Sequence, residues 1–230
     1  MKRDLTRERI VTAASELLAE GGRDAVSTRA VCAASGVQSP TIYRLFGDKN
    51  GLLEAVADHA FESYLARKTA LAATDDPVED LRRGWDLHVG FGLANPACYA
   101  LIYGEARPGV ETSAARRASA VLAGQIRRIA ESGRLRVGEK RAAHLVHSAG
   151  CGMTFTLISL PEEERDPGLS ALGRESVIAA VTTEDTGAAD AGPTGLAVAM
   201  AALAPRLPAL SAAERELLAE WMDRVVVSDG

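Results

Sequence analysis

Within the stretch GVQSPTIYRLFGDKNGLLEAV (residues 36–56), Gln38, Ser39, Thr41 and Arg44 carry polar groups that one short helix would turn to the same outer face. These side-chain types suit base edges: glutamine can bind adenine, arginine guanine, and the threonine methyl can touch a thymine methyl. Tyr43 and Lys49 add a phenol and an ammonium, groups that clamp phosphates. Taken singly, each has an ordinary alternative, a packed tyrosine and a solvated lysine. Ser27 joins the candidate DNA contacts. Arg29, Arg3 and Arg7 are candidates for backbone contact, with a solvated arginine as the alternative.

Those residues need elements to hold them. Apolar residues Ile10, Ala14, Leu17 and Leu18 recur at helical spacing over roughly residues 6–20, and Gly21-Gly22 supplies a stop. Ser27 is an N-cap for a second, short helix that buries Val31 and Ala34 and ends near Gly36. Ser39 is expected to cap a third, with Pro40 in its first turn, where a missing N–H costs nothing. Cys32 is small enough for two backbones to approach, Gly36 takes the turn, and Val37, Ile42 and Leu45 face inward. Two short helices crossing steeply in this way form a helix-turn-helix. Asp48 is a plausible N-cap of a fourth helix over about 49–73, so the Lys49 ammonium and the helix end can address one phosphate together.

Composition limits the rest. In 230 residues, 47% are hydrophobic but only 4% aromatic, an Ala-, Leu- and Val-rich balance that favours helices. The net charge of -5 argues against a globally basic nucleic-acid binder. Residues 1–49 nevertheless carry eight Lys or Arg against six Asp or Glu, and the remainder 18 against 25. A slightly basic head on an acidic body fits contact with a polyanion at one end. The N-terminus MKRDLTRERIV has no apolar core of a signal peptide, and no apolar run is long enough to span a membrane. Cys32, Cys98 and Cys151 are odd in number without a CxxC pair, as expected for free thiols in a reducing cytoplasm.

RERIVTAASELLAEGG followed by STRAVCAASGVQSPTIYRLFGDKNGLLEAV resembles the TetR family of transcriptional repressors over about residues 7–57. Gly36-Val37, Thr41, Tyr43, Phe46, Lys49 and Leu52-Leu53 match the family pattern. Val26, Ala30, Cys32 and Gln38 depart from it by sterically mild exchanges. The resemblance implies an all-α fold in which a three-helix DNA-binding head (residues 1–48) joins, through the long fourth helix, a helical effector-binding and dimerisation domain (49–230). It also gives Tyr43 and Lys49 the role of phosphate clamps.

Beyond residue 73, Asp76 is expected to cap a fifth helix, with Pro77 in its first turn and Glu79 reaching back as in a capping box. Leu81, Trp85, His88 and Gly92 share one stripe. A short helix between prolines carries Tyr99 and Tyr103, and helices are expected over 111–132 and 139–160. Gly150 and Gly152 interrupt the latter and would let another helix pack close. Trp85, His88, Phe91, Tyr99, Tyr103, His147, Cys151 and Phe155 form a mixed aromatic and polar set. Together with the resemblance, that set points to a pocket for a small organic effector; a plain core with satisfied hydroxyls and ring nitrogens is the alternative. Residues 183–193 are expected to be a mobile loop. Ser211 and Glu214 form a capping box for a last helix with Leu217, Leu218, Trp221, Met222 and Val225 on one face.

His144, His147 and Cys151 stand three and four residues apart, a spacing that places metal-ligating types on one helical face. Three ligands spread over two turns of one straight helix do not converge on a single ion about 2 Å away; at most a pair, helped by His88 or a partner chain, could do so, and pocket lining or dimer packing is the stronger reading. No metal and no cofactor is expected. The resulting expectation is a cytoplasmic, homodimeric one-component repressor. It would bind a double-stranded DNA operator, answer to a small organic effector, and have no membrane partner. The 139–160 helix is the first candidate for the dimer bundle, partnered by 169–182 or 211–227. The rival class is a redox- or metal-responsive regulator using Cys151 with His147, or a helical enzyme. No nucleophile, base and acid set and no phosphate-binding glycine loop supports the enzyme.

Overall fold

The computed structural model describes residues 2–70, 74–104, 111–183 and 192–228. Among these there is no strand. Eleven α-helices follow one another: α1 (Lys2–Ala25), α2 (Thr28–Ser35), α3 (Ser39–Phe46), α4 (Lys49–Ala70), α5 (Pro77–Ala94), α6 (Pro96–Tyr103), α7 (Ser113–Glu131), α8 (Glu139–Ser159), α9 (Leu169–Val181), α10 (Gly192–Leu203) and α11 (Ala212–Ser228). The all-α expectation holds. The expected loop at 183–193 falls mostly outside the described residues; Thr183 N–H donates to Arg134 O at 2.9 Å, and α10 already begins at Gly192.

The chain divides into two compact units, one of Met1–Leu71 with Gly90–Ala118, the other of Ala72–Val89 with Ser119–Gly230. In the first, Ile10, Val11, Ala14 and Leu18 of α1 meet Val31, Ile42, Leu52, Leu53 and Val56 in one buried cluster. Burying a side chain of this size contributes roughly 1.5–3 kcal/mol. α1 runs through Gly21 and Gly22 with a kink rather than a clean stop: both glycines leave helical geometry, Gly22 at φ 66°. α6 covers this core with Ala97, Cys98 and Leu101.

The second unit is built around α5, α7, α8 and α9, with α10 packed on α11. Leu81, Trp85, Ile126, Ile129, Val146, Leu157, Ile178 and Val181 are buried there. Leu135 and Thr182 form an isolated antiparallel bridge, which ties the α7–α8 turn to the end of α9. Arg134 adds an ion pair to Asp76 at 2.8 Å.

Four local expectations need correction. Ala34 is exposed, and it is Ser35 that α2 buries, its hydroxyl donating to Val31 O at 2.6 Å. α3 is capped at Gln38 without a side-chain bond, so Ser39 is its first residue and not its cap. Asp76 does cap α5, accepting from Val78 N at 2.9 Å, but Glu79 lies beside Arg82 and the residue reaching back is Asp80. Its carboxylate accepts from Thr74 N–H and Oγ. α8 is continuous through Gly150 and Gly152, because a glycine inside a long, well-packed helix weakens it without breaking it.

Asp80 is buried and also paired with Arg128, whose guanidinium reaches on to Thr74 O at 2.8 Å. Burial pushes this carboxyl up, but the hydrogen bonds from Arg128 and Thr74 outweigh it and hold it below the usual aspartate value of 3.8. A depressed carboxylate stabilises the fold above its unfolded value and loses that contribution as pH falls through the folded one. Asp80→Asn is therefore expected to cost about 2 kcal/mol in urea unfolding at neutral pH. The gap between variant and wild type should close as the pH is stepped down below 3.8.

Candidate functional site

The helix-turn-helix is assembled from caps. Ser27 accepts from Ala30 N–H at 3.2 Å and starts α2. Gly36 ends it in the left-handed region at φ 66°, a conformation that side chains with a Cβ rarely adopt. α3 then sinks Ile42 (2% exposed) into the head core and packs Val37, Leu45 and Phe46 against it. Gln38 at its N-cap, Ser39 and Arg44 are all exposed, and Thr41 is half-buried. Tyr43 is 53% exposed, unusual for so large a ring. Ser39 Oγ lies 3.5 Å from Cys32 Sγ, the close approach of α2 and α3 that the small Cys32 allows.

Asp48 caps α4 through Gly51 N–H at 2.8 Å and leaves exposed Lys49 in the first turn. The free amides and partial positive charge of that turn act in the same direction as the ammonium. Arg7 lies over the Phe46 ring at 5.5 Å and so packs the end of α3 against α1. Arg23 donates to Asn50 Oδ1 at 3.2 Å. Neither contact was legible in the sequence, because each joins residues more than twenty positions apart.

The eight aromatic and polar candidates fall into two groups, one in each unit. In the first unit Phe91, Tyr99 and Tyr103 stack with Phe61 and Tyr64, with centroid distances of 4.8 Å for Tyr64–Phe91 and for Tyr99–Tyr103. Tyr99 and Phe61 are fully buried there. In the second unit Trp85, His88, His147 and Cys151 come together. A Cβ on Gly150 would meet the rings of both Trp85 and His88 at an ordinary contact distance of 3.6 Å, so both rings border α8 at this point. Trp85 Nε1 donates to Ser170 Oγ at 3.1 Å. Cys151 Sγ is 3.7 Å from His147 Nε2 and 4.0 Å from His88 Nε2. Phe155, one turn on from Cys151, is half-buried. His144 is exposed elsewhere, beside a groove of about 880 Å³ with Arg127, Lys140 and Asp223. Among the described residues no three His, Cys, Asp or Glu are arranged to hold a metal ion.

The α3–α4 corner depends on Gly51, where an added Cβ would stand 2.0 Å from Phe46 O. That atom is backbone and cannot swing away. Gly51→Ala is expected to lower stability by about 1–3 kcal/mol. Gly152→Ala is the contrast, since nothing lies within 4 Å of its Cβ position. Removing a helix-interior glycine there should be neutral or add up to about 1 kcal/mol. Thermal melts of the two variants test the difference.

Residues 10–56 match the family described as bacterial regulatory proteins, tetR family. The nucleoid occlusion factor SlmA of Marinobacter nauticus is 28% identical over 153 residues, 65% of this chain and 78% of that protein. The HTH-type transcriptional repressor Rv3405c of Mycobacterium tuberculosis is 35% identical over 79 residues, 34% of this chain and 40% of that protein. Among solved structures, RolR in complex with the ligand resorcinol aligns at a TM-score of 0.59 and 24% identity, covering 83% of this chain and 92% of that one. Structural likeness at that identity speaks for the helical fold, and no helix among the described residues is long and apolar enough to cross a membrane. The family match lies over the helix-turn-helix, so residues 10–56 are similar to the DNA-binding head of the tetR family of bacterial regulatory proteins, and the helical fold of the rest is shared with solved members of that family.

Proposed function

We propose that the protein is a homodimeric repressor that leaves a near-palindromic operator when a small organic effector binds. Residues 1–48 serve as the reading head and 49–230 as the effector-binding and dimerisation part. The observation that carries the proposal is the exposed face of α3: Gln38, Ser39, Thr41 and Arg44 toward bases, flanked by Tyr43 and Lys49 for phosphates, with Ser27 and Arg29 at the start of α2 as backbone contacts. Two such heads would address half-sites about one DNA turn apart or somewhat more.

Dimerisation is supported by α11. Leu217, Trp221 and Val225 recur every fourth residue and are 42%, 50% and 37% exposed. One stripe of large apolar side chains left in water favours a second copy as its cover. That argues for 211–227 over 169–182 as the bundle element beside α8, since α9 exposes Leu172 as its large apolar residue. The effector reading rests on the Trp85, His88, His147 and Cys151 group, an aromatic wall beside polar atoms. RolR, bound to an aromatic diol, is a relative in fold that takes such a compound. An effector that binds better to a dimer with wrongly spaced heads would shift the population away from DNA by its differential affinity.

Tyr43→Phe and Lys49→Ala are expected to weaken binding alike on all DNA sequences, lowering the salt slope by roughly one per lost phosphate contact. Arg44→Ala should instead relax preference at one base pair by about 1–3 kcal/mol. Titrations on an operator selected from random DNA, at several salt concentrations, separate the two behaviours. Unchanged affinity in both clamp variants would remove the phosphate assignment. Trp221→Glu is expected to convert a two-chain mass to a one-chain mass in sedimentation; an unaltered dimer would move the interface away from α11.

A further inference from the structure

We propose that Cys151 captures small electrophiles covalently, with α,β-unsaturated carbonyl compounds as the ligand class and His147 and His88 acting on its thiol. The inference rests on the effector reading of the second unit and gives that site a chemistry.

The sulfur is half-buried on α8. His147 lies one turn earlier on the same helix, its Nε2 and Nδ1 at 3.7 and 3.9 Å from the sulfur, and His88 approaches from α5 at 4.0 Å through Nε2. Both lie within hydrogen-bonding reach of sulfur. The second imidazole stands beside Gly150, where an added Cβ would be in ordinary contact with it at 3.6 Å. Charged groups on the neighbouring helices are tied to one another: Arg174 to Asp86 and Glu175, and Arg82 to Glu175 and Glu79. The imidazoles are thus the titratable groups shown at the thiol. A neutral imidazole titrates close to physiological pH and can take a proton from sulfur, whose anion is the reactive form.

The step balances without an oxidant. An imidazole accepts the Cys151 S–H proton, and the sulfur electron pair forms a bond to the β-carbon. The C=C π pair moves toward the carbonyl as an enolate, which takes the proton back from the imidazolium. The net change is addition of S–H across the double bond. Cys151 is the one cysteine of its unit, Cys32 and Cys98 both belonging to the other, so no second thiol of that unit competes by forming a disulfide.

N-ethylmaleimide, added to the full chain at one equivalent and followed by peptide mass spectrometry, tests the proposal. Cys151 should be labelled at least ten times faster than Cys98, whose thiol burial pushes up. His147→Gln and His88→Gln should each slow labelling at Cys151 several-fold and leave Cys98 unchanged. General loosening of the fold would instead speed both. The adduct should weaken binding to a selected operator at least tenfold, and Cys151→Ser should be indifferent to the reagent. Equal labelling of the thiols, or a Cys151 rate insensitive to both histidine variants, overturns the capture site. Selective labelling that leaves operator binding intact overturns its role as effector site. Failure of the unmodified chain to select any operator strikes the repressor reading alone, since the labelling rates are measured without DNA.

Discussion

An eight-residue helix has no stability of its own in water, because nucleation fixes several dihedrals before the hydrogen bonds compensate. α3 exists because one side of it is nailed to the head core. Ile42 is buried, Val37, Leu45 and Phe46 pack around it, Gly36 turns the chain out of α2, and Gly47 closes the end of α3. Everything proposed for DNA follows from that constraint. A short helix that must spend one face on burial has only its other residues left, and here those exposed include serine, tyrosine and arginine, with glutamine at the N-cap. The position of the reading groups is fixed by apolar contacts behind them.

A related constraint shapes the second unit. α5 meets α8 at Gly150, whose Cβ position lies in ordinary contact with the rings of Trp85 and His88 at 3.6 Å. The approach brings Trp85 and His88 of α5 to Cys151, while Ser170 of α9 takes the indole N–H. Removing so much apolar surface from water would be ordinary core formation. The thiol and the two imidazoles within it are not explained by core formation, since an aliphatic residue would fill the same space without polar atoms to satisfy.

How much of this was legible in the sequence depends on range. Signals that act within four residues were readable: the Ser27 cap, the Asp48 cap, the Gly36 turn and the Ser211–Glu214 box all appear with their bonds. Where two adjacent residues offered the same chemistry, the choice failed. Ser39 and Gln38 compete for one cap position, as Ala34 and Ser35 do for one buried position and Glu79 and Asp80 for one acceptor. Local pattern does not separate such neighbours; the direction in which the next helix packs does. Contacts across the chain, such as Arg128 with Asp80 or Leu135 with Thr182, left no mark in the sequence at all. The same limit explains why the aromatic candidates could be named but not grouped.

Net charge was the least informative quantity. At physiological salt, interactions between exposed charges are damped beyond about 8 Å. A phosphate at α3 therefore responds to what stands within that distance, not to a total of -5 summed over 230 residues. Around the start of α4 stand the Lys49 ammonium, the first amides of α4 and the Arg23 guanidinium on Asn50, while Asp48 has its Oδ1 turned to Gly51 N–H. A carboxylate engaged in capping still carries its charge, but its hydrogen-bonding lone pairs face the helix it caps. Under the proposed reading, the acidic surplus of the rest of the chain lies largely beyond that screening distance and has little say in what α3 binds.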